Sequence, residues 1–441
     1  MNSVSPATDL HELVNQRVAC QSRRGEDAEW LSTRRDMATN ALLQMPMPDR
    51  KQENWRYTST AFLERQAFQV VPDDRFEAVE QSDIEDLLLH EDTYRLVFVN
   101  GYLVPALSQT GKKGSGLSFG SIAAGAPNIS DEVRDHLARI APHRHVFEAL
   151  NTSLMADGAV LHVSDHARLE KPIELLHISI GLDQPAIAHP RHLLVMGERA
   201  KAQLMERYCA LGDSQYFNNS LVEIALADGS ELQHQRVQEE SRAAQHISDL
   251  HVRQQAGSRY QLTQASLGAT WSRTDIRVEF AGPQAHAEID ALLMASDEQL
   301  TDMHLEVRHE VPGCTSRETV KGILDGKGRL VFDGHIHVAR DAQQTDARLS
   351  NDNLLLSRAA EVDSKPQLEI FADDVKCSHG TTVGELDPDM LFYLRSRGIG
   401  EVQAKQMLCQ GFAQQPLDAI PNDALRHRVS RQLAMRLGGR E

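Results

Sequence analysis

From about residue 149 to 386 the chain alternates apolar and polar side chains at period two, and few folds accept so long a stretch of that kind. Ile276, Val278 and Phe280, then Ile336 and Val338, then Leu368 and Ile370, each set branched or aromatic side chains on one face of an extended segment. Asp157-Gly158, Asp228-Gly229, Asp325-Gly326 and Asp333-Gly334 punctuate the stretch. Both residues of such pairs tolerate the positive φ that tight turns between strands require. A sandwich, a barrel and a β-solenoid all satisfy this pattern. No crisp repeat separates them, so periodicity stops at an all-β core.

The flanks differ. Residues 1 to about 148 read as mixed and largely helical. Leu10, Leu13, Val14 and Val18 share one helical face, with Asp9 and Glu12 spaced as a capping pair. Pro46 and Pro48 end that pattern, and Leu96 to Leu107 reads as two strands about Asn100-Gly101. Residues 387–441 read as helices. Ala404, Met407, Leu408 and Phe412 form one apolar stripe, and Leu425, Val429, Leu433 and Leu437 a second, with Asn422 as N-cap and Gly438 as stop. Such a tail either closes the end of a β body or docks a partner.

Several function classes are disfavoured. A chain of 441 residues is expected to hold two or three structural units. A net charge of −17 argues against a general nucleic-acid binder, although the tail from Pro388 onward is net basic. The opening residues Met1 to Pro6 carry neither a basic nor an apolar leader region, and no apolar run is long enough to span a bilayer. A cytoplasmic protein without membrane contact is expected. The five cysteines (Cys20, Cys209, Cys314, Cys377, Cys409) are scattered without any C-x-x-C, which suits a reducing compartment and encodes no zinc ribbon.

Among motifs, no P-loop and no G-x-S-x-G elbow occurs. Gly111 to Gly120 reads as a flexible loop. Gly398-Ile399-Gly400 resembles the turn of a helix-hairpin-helix, and a plain helix connection is expected there. His335 and His337, with Asp333 before them, share a strand face and suggest a metal-dependent hydrolase as an alternative, but that fold needs alternating helices which this region lacks. In Ala372-Asp373-Asp374-Val375-Lys376-Cys377-Ser378-His379-Gly380, a continuing strand puts Cys377 and His379 on one face. A thiolate beside an imidazole suits iron, zinc or a nascent iron–sulfur cluster, and two ligands need a second chain to complete a site.

That same stretch, with Lys365-Pro366-Gln367-Leu368-Glu369-Ile370 before it and Phe392-Tyr393-Leu394-Arg395-Ser396-Arg397-Gly398-Ile399 after it, resembles the C-terminal signature of the SufB/SufD family of iron–sulfur cluster assembly scaffolds. Glu53-Asn54-Trp55-Arg56-Tyr57-Thr58 resembles the family's N-terminal motif. Asn151 with Asp157-Gly158, Glu206 and Asn218 fall where the family carries similar residues, so the resemblance spans essentially the whole chain. It implies a right-handed parallel β-helix core over residues 149–386, with helical regions at 1–148 and 387–441. It implies a non-catalytic subunit of the SufBCD complex that pairs with SufB through the core and docks the SufC ATPase through the C-terminal helices. Ala404, Met407, Leu408, Phe412, Leu425, Val429, Leu433 and Leu437 are the docking candidates. Sulfur arrives from a cysteine desulfurase with a SufE-type carrier. The isolated chain is expected to bind no cofactor; iron or a nascent cluster is shared with SufB, with Cys377 and His379 as this chain's interface residues. The isolated chain is left open to monomer or homodimer.

A SufB-like, sulfur-accepting role is the main alternative. SufB carries a cluster-assembly cysteine before an Asp and a short aliphatic run, whereas Ser350-Asn351-Asp352-Asn353-Leu354-Leu355 has Asn351 at that place. The Cys-rich N-terminal motif of SufB is also missing. Both departures favour the SufD side of the family.

Overall fold

From the Arg191–Met196 strand onward, backbone pairing follows one rule: each strand pairs in parallel with the strand two further along the chain. Phe217 pairs with Gln245, Gln245 with Trp271, Trp271 with Leu300, Leu300 with Arg329 and Arg329 with Glu361, a repeat of about 26–32 residues. Successive strands therefore fall alternately on two facing sheets. One sheet ends in Glu361–Ile370 and the other in Val375–Glu385. This is a parallel β-solenoid with helical regions at both ends. The computed structural model describes residues 12–15, 29–71, 79–89, 92–110 and 116–438. Leu10 and Val18 of the first expected stripe, Asp9 of its capping pair, Cys20 and residues 111–115 lie outside the described residues.

The period-two residues fill the space between the sheets. Ile276, Val278, Phe280, Ile336 and Val338 are buried there together with Leu204, Leu232, Leu262, Ile289 and Leu349. The coils stack in register, so like side chains line up in columns, and each column buries a continuous apolar stripe. The Asp-Gly pairs have three different jobs. Gly229 and Gly326 sit at positive φ in inter-strand turns, as expected. Gly158 does not; a Cβ there would lie 1.6 Å from the Arg191 carbonyl oxygen, so close backbone approach excludes a side chain. Gly334 is inside the Arg329–Val338 strand, where Phe332 and Leu349 occupy the space of its missing side chain. Asp333-Gly334 is thus not a turn. The expected loop at Gly111–Gly120 is also corrected in its described part. Leu117–Ser121 is a strand, antiparallel to Ala159–Val163. The Asn100-Gly101 hairpin forms as read, with both residues at positive φ.

The Glu53–Thr58 motif is folded onto the outer face of the first sheet. Trp55 is buried, with the Arg273 guanidinium carbon 3.9 Å from its ring centre. Arg273 donates to Asp275 at 2.7 and 2.8 Å, to Asp302 at 3.2 Å and to the Asn54 carbonyl at 2.6 Å. Thr58 donates to Asp302, and Lys365 pairs with Glu53. The arginine's charge is thereby compensated by two carboxylates, and one N-terminal segment ties together coils far apart in sequence.

The C-terminal helices Pro388–Ser396, Glu401–Asp418 and Asp423–Leu437 lead away from the last strand. Asn422 caps the third by accepting from the Leu425 N–H at 2.8 Å. Ala404, Cys409, Ala413, Leu417, Leu425, Val429 and Leu433 are buried, most of them in one apolar cluster with Met205, Val237, Leu292, Ile323 and Leu354 of the second sheet. Arg428 donates to Glu239 of that sheet at 2.7 and 2.9 Å.

Inside the solenoid, Glu318 is 2% exposed and neither carboxylate oxygen has a hydrogen-bond partner. Burial pushes its carboxyl up to about 8. The folded value exceeds the unfolded one, so Glu318 costs nothing while protonated, below about pH 4.5, and destabilises increasingly as pH rises toward 8. Glu318→Gln is therefore expected to match the wild type at pH 4.5 and to be more stable by at least about 1 kcal/mol at pH 8.5, as measured by denaturant melts at both pH values.

Candidate functional site

The two ends of the solenoid differ. At its start, Tyr102–Leu103 and Leu117–Ser121 add antiparallel strands that close the sheets. At its finish, Glu361–Ile370 and Val375–Glu385 are the outermost strands of their sheets. Among the described residues neither has a partner on its outer side. Two adjacent open edges of 10 and 11 residues, carrying unpaired N–H and C=O groups, form a surface that a further strand can extend.

Cys377 and His379 belong to this open coil. Cys377 pairs with Ala347, and His379 with Leu349, both core residues, so the two side chains lie on the inward face of the last strand. Cys377 is half-buried and packs on the core, whereas His379 is exposed. Burial raises the Cys377 thiol, and Asp346 and Glu318 raise it further. A neighbouring cation or metal is needed before it becomes a thiolate ligand. Asn351 lies one coil deeper. It is fully buried, donates to the Val320 carbonyl at 3.2 Å and accepts from Asn353 and Ser364 at 2.8 Å each. Asn351 is thus an amide that fills its buried site with hydrogen bonds, with no thiol there.

His335 and His337 do share an outer strand face, and both approach Glu369 Oε2, at 3.4 and 3.1 Å. They sit in a solenoid sheet and not in a barrel of alternating strands and helices. Gly398, at positive φ, simply joins two helices.

The structure places the docking candidates as follows. Leu425, Val429 and Leu433 pack against the chain's own second sheet, Ala404 is buried, Leu408, Phe412 and Leu437 are half-buried, and Met407 is exposed. The buried stripe on the Glu401–Asp418 helix runs through Ala404, Cys409, Ala413 and Leu417. The apolar surface that does face outward is on the Pro388–Ser396 helix, which buries no residue: Met390, Phe392 and Tyr393 are more than half exposed, and Val402 lies beyond them.

Sequence reading missed one cluster. A cavity of about 540 Å³ opens on the outer face of the first sheet, lined by His145, Glu148, Arg273, His251, His304 and His335 among others. His145 Nε2 lies 2.9 Å from Asp249 Oδ1, and His251 Nε2 lies 2.9 Å from Glu148 Oε1. Burial opposes the charge on His145, yet Asp249 and Glu148 raise it to about 9. Burial likewise opposes the charge on Glu148, yet His251 and His145 hold it down to about 2. The signal was legible as H-x-x-E at a helix start and D-x-H on a strand.

Two family models span most of the chain. The SUF system FeS cluster assembly SufBD core domain matches residues 179–412, and the SufBD protein N-terminal region matches residues 8–175. The chain belongs to the SufB/SufD family. It is 35% identical to the iron–sulfur cluster assembly protein SufD of Escherichia coli over 90% of this chain and 91% of that one. It is 31% identical to an iron–sulfur cluster assembly SufBD family protein of Synechocystis, over 93% and 92%. It is 23% identical to SufD of Bacillus subtilis, over 92% and 94%. Within the SufB/SufD family these similarities support the SufD side, in agreement with Asn351. No helix among the described residues is long and apolar enough to cross a membrane.

Cys209, Cys314 and Cys409 are buried, and Cys377 is only partly so. Brief iodoacetamide treatment of the folded chain at pH 9 is expected to label Cys377 well before these three, and to label it more slowly at pH 7, as read by peptide mass spectrometry.

Proposed function

We propose that this chain acts as the SufD-type scaffold subunit of a SufBCD complex, pairing with SufB through the open coil and docking a SufC ATPase through its C-terminal helices. The observation that carries the pairing is the unpaired double edge at Glu361–Ile370 and Val375–Glu385. A SufB core that presents its own edges would continue both sheets. It would bring its ligands to Cys377 and His379, whose inward face lies within this junction. Two ligands on this chain and the remainder on SufB make a shared site for iron or a nascent cluster, which only the assembled complex completes. In this reading the chain hydrolyses no ATP itself; that chemistry belongs to SufC. Sulfur reaches the junction from a cysteine desulfurase through a SufE-type carrier and SufB. The buried amide of Asn351, in place of a thiol, weighs against a SufB-like sulfur-accepting role for this chain.

Two experiments divide the proposal. In the full complex, His379→Ala is expected to lower iron and acid-labile sulfide per complex severalfold without releasing SufB, and Cys377→Ser to act in the same direction. Equal iron and sulfide in all three preparations would remove both residues from the assembly site. For SufC, Met390 and Phe392 make the exposed apolar face of a helix with no buried residue, so charging them leaves the fold intact. Met390→Asp with Phe392→Asp is expected to reduce SufC co-purification at least tenfold while SufB stays bound. Undiminished SufC retention would move the docking site elsewhere.

A further inference from the structure

We infer that His145, Glu148 and Asp249, with His251 orienting Glu148, form a binding site for one first-row divalent metal ion, separate from the open coil and independent of the function proposed above. Among the described residues, His145, Glu148 and Asp249 are the group whose ligand atoms converge, all lying within 4.8 Å of one another. His251 stands behind this group, its Nε2 2.9 Å from Glu148 Oε1, and orients that carboxylate. Bonds of 2.0–2.2 Å to nitrogen and oxygen place neighbouring ligands of a tetrahedral ion about 3.4 Å apart. The present separations of 2.9 Å (His145 to Asp249) and 3.9 Å (His145 to Glu148) bracket that value, so small rotations of side chains admit an ion.

The surroundings suit an ion. Asp249 is fully buried and its Oδ2 has no hydrogen-bond partner, a costly arrangement unless something else meets it. Two rigid elements fix the four side chains. His145 is the N-cap of the Val146–Leu154 helix and Glu148 is in its first turn, while Asp249 and His251 alternate along the Gln245–Gln254 strand. Glu148 Oε2 also accepts from the Arg144 N–H at 2.7 Å, which holds the carboxylate in orientation. The neighbouring Arg273 is spent on Asp275 and Asp302, and so does not compete for these carboxylates. The cavity that His145, Glu148 and His251 line provides the way in. Imidazole with carboxylate is the donor set of zinc, iron(II) and related ions, and not of calcium or magnesium.

Cobalt(II) is the probe. The isolated full-length chain carrying Cys377→Ser is titrated with Co2+ while visible absorption and Tm are followed. One equivalent is expected to bind with d–d bands, without a thiolate charge-transfer band, and to raise Tm. Glu148→Gln with Asp249→Asn preserves side-chain shape and is expected to weaken binding at least tenfold and to abolish the Tm gain. If that double variant is unfolded by circular dichroism, His251→Gln alone carries the same expectation. No bound Co2+ in the parent chain, a thiolate band, or unchanged affinity in the folded variant would overturn the inference.

Discussion

Everything in this molecule depends on the in-register parallel ladder that stacks coil on coil. Each coil satisfies its backbone only by pairing with the coil before and the coil after, so the stack is stable in its middle and incomplete wherever it stops. Extra antiparallel strands complete the first end. The last end is left open, with Glu361–Ile370 and Val375–Glu385 offering their outer edges. Cys377 and His379, the residues proposed to serve cluster assembly, are on that coil, where the inward face of the solenoid meets an open edge.

The outer faces of the two sheets are used differently. The second is sealed by the chain's own C-terminal helices through Leu425, Val429 and Leu433. The first carries paired charges beneath the N-terminal segment, with Arg273 at the centre and Trp55 over it. The desolvation cost of burying an arginine exceeds what any single carboxylate returns, so Asp275, Asp302 and the Asn54 carbonyl are all engaged. This layer locks the N-terminal region onto coils whose strands lie far along the chain.

The sequence made the β core legible through period two, and the solenoid through the family resemblance, because inward residues such as Ile276, Val278 and Phe280 must alternate whatever the coil count. It did not separate the jobs of the glycines. Gly229 is needed for its φ, but Gly158 and Gly334 for missing volume, and volume depends on Arg191, Phe332 and Leu349, which only the fold brings near. What covers the helical stripes was illegible for a related reason. An apolar face is the same whether a partner or the chain's own sheet covers it, and Leu425, Val429 and Leu433 turned out to face the sheet. Cys377 and His379 could be read as one face of a strand, but their place at an open edge could not. The His145–Glu148–Asp249–His251 cluster joins two segments about a hundred residues apart; each half has a local pattern, H-x-x-E and D-x-H, but only the fold brings the halves together.

Hydrogen exchange at the two edge strands tests the central claim most directly. In dilute isolated chain, amides of 361–370 and 375–385 that point away from the stack have no partner and exchange fast, whereas the alternate amides bonded to the preceding coil are slow. The account predicts that binding SufB slows the outward-pointing set in both strands. If those amides exchange as fast in the SufB-bound chain as in the dilute isolated chain, the open coil is not the pairing surface and the account is wrong.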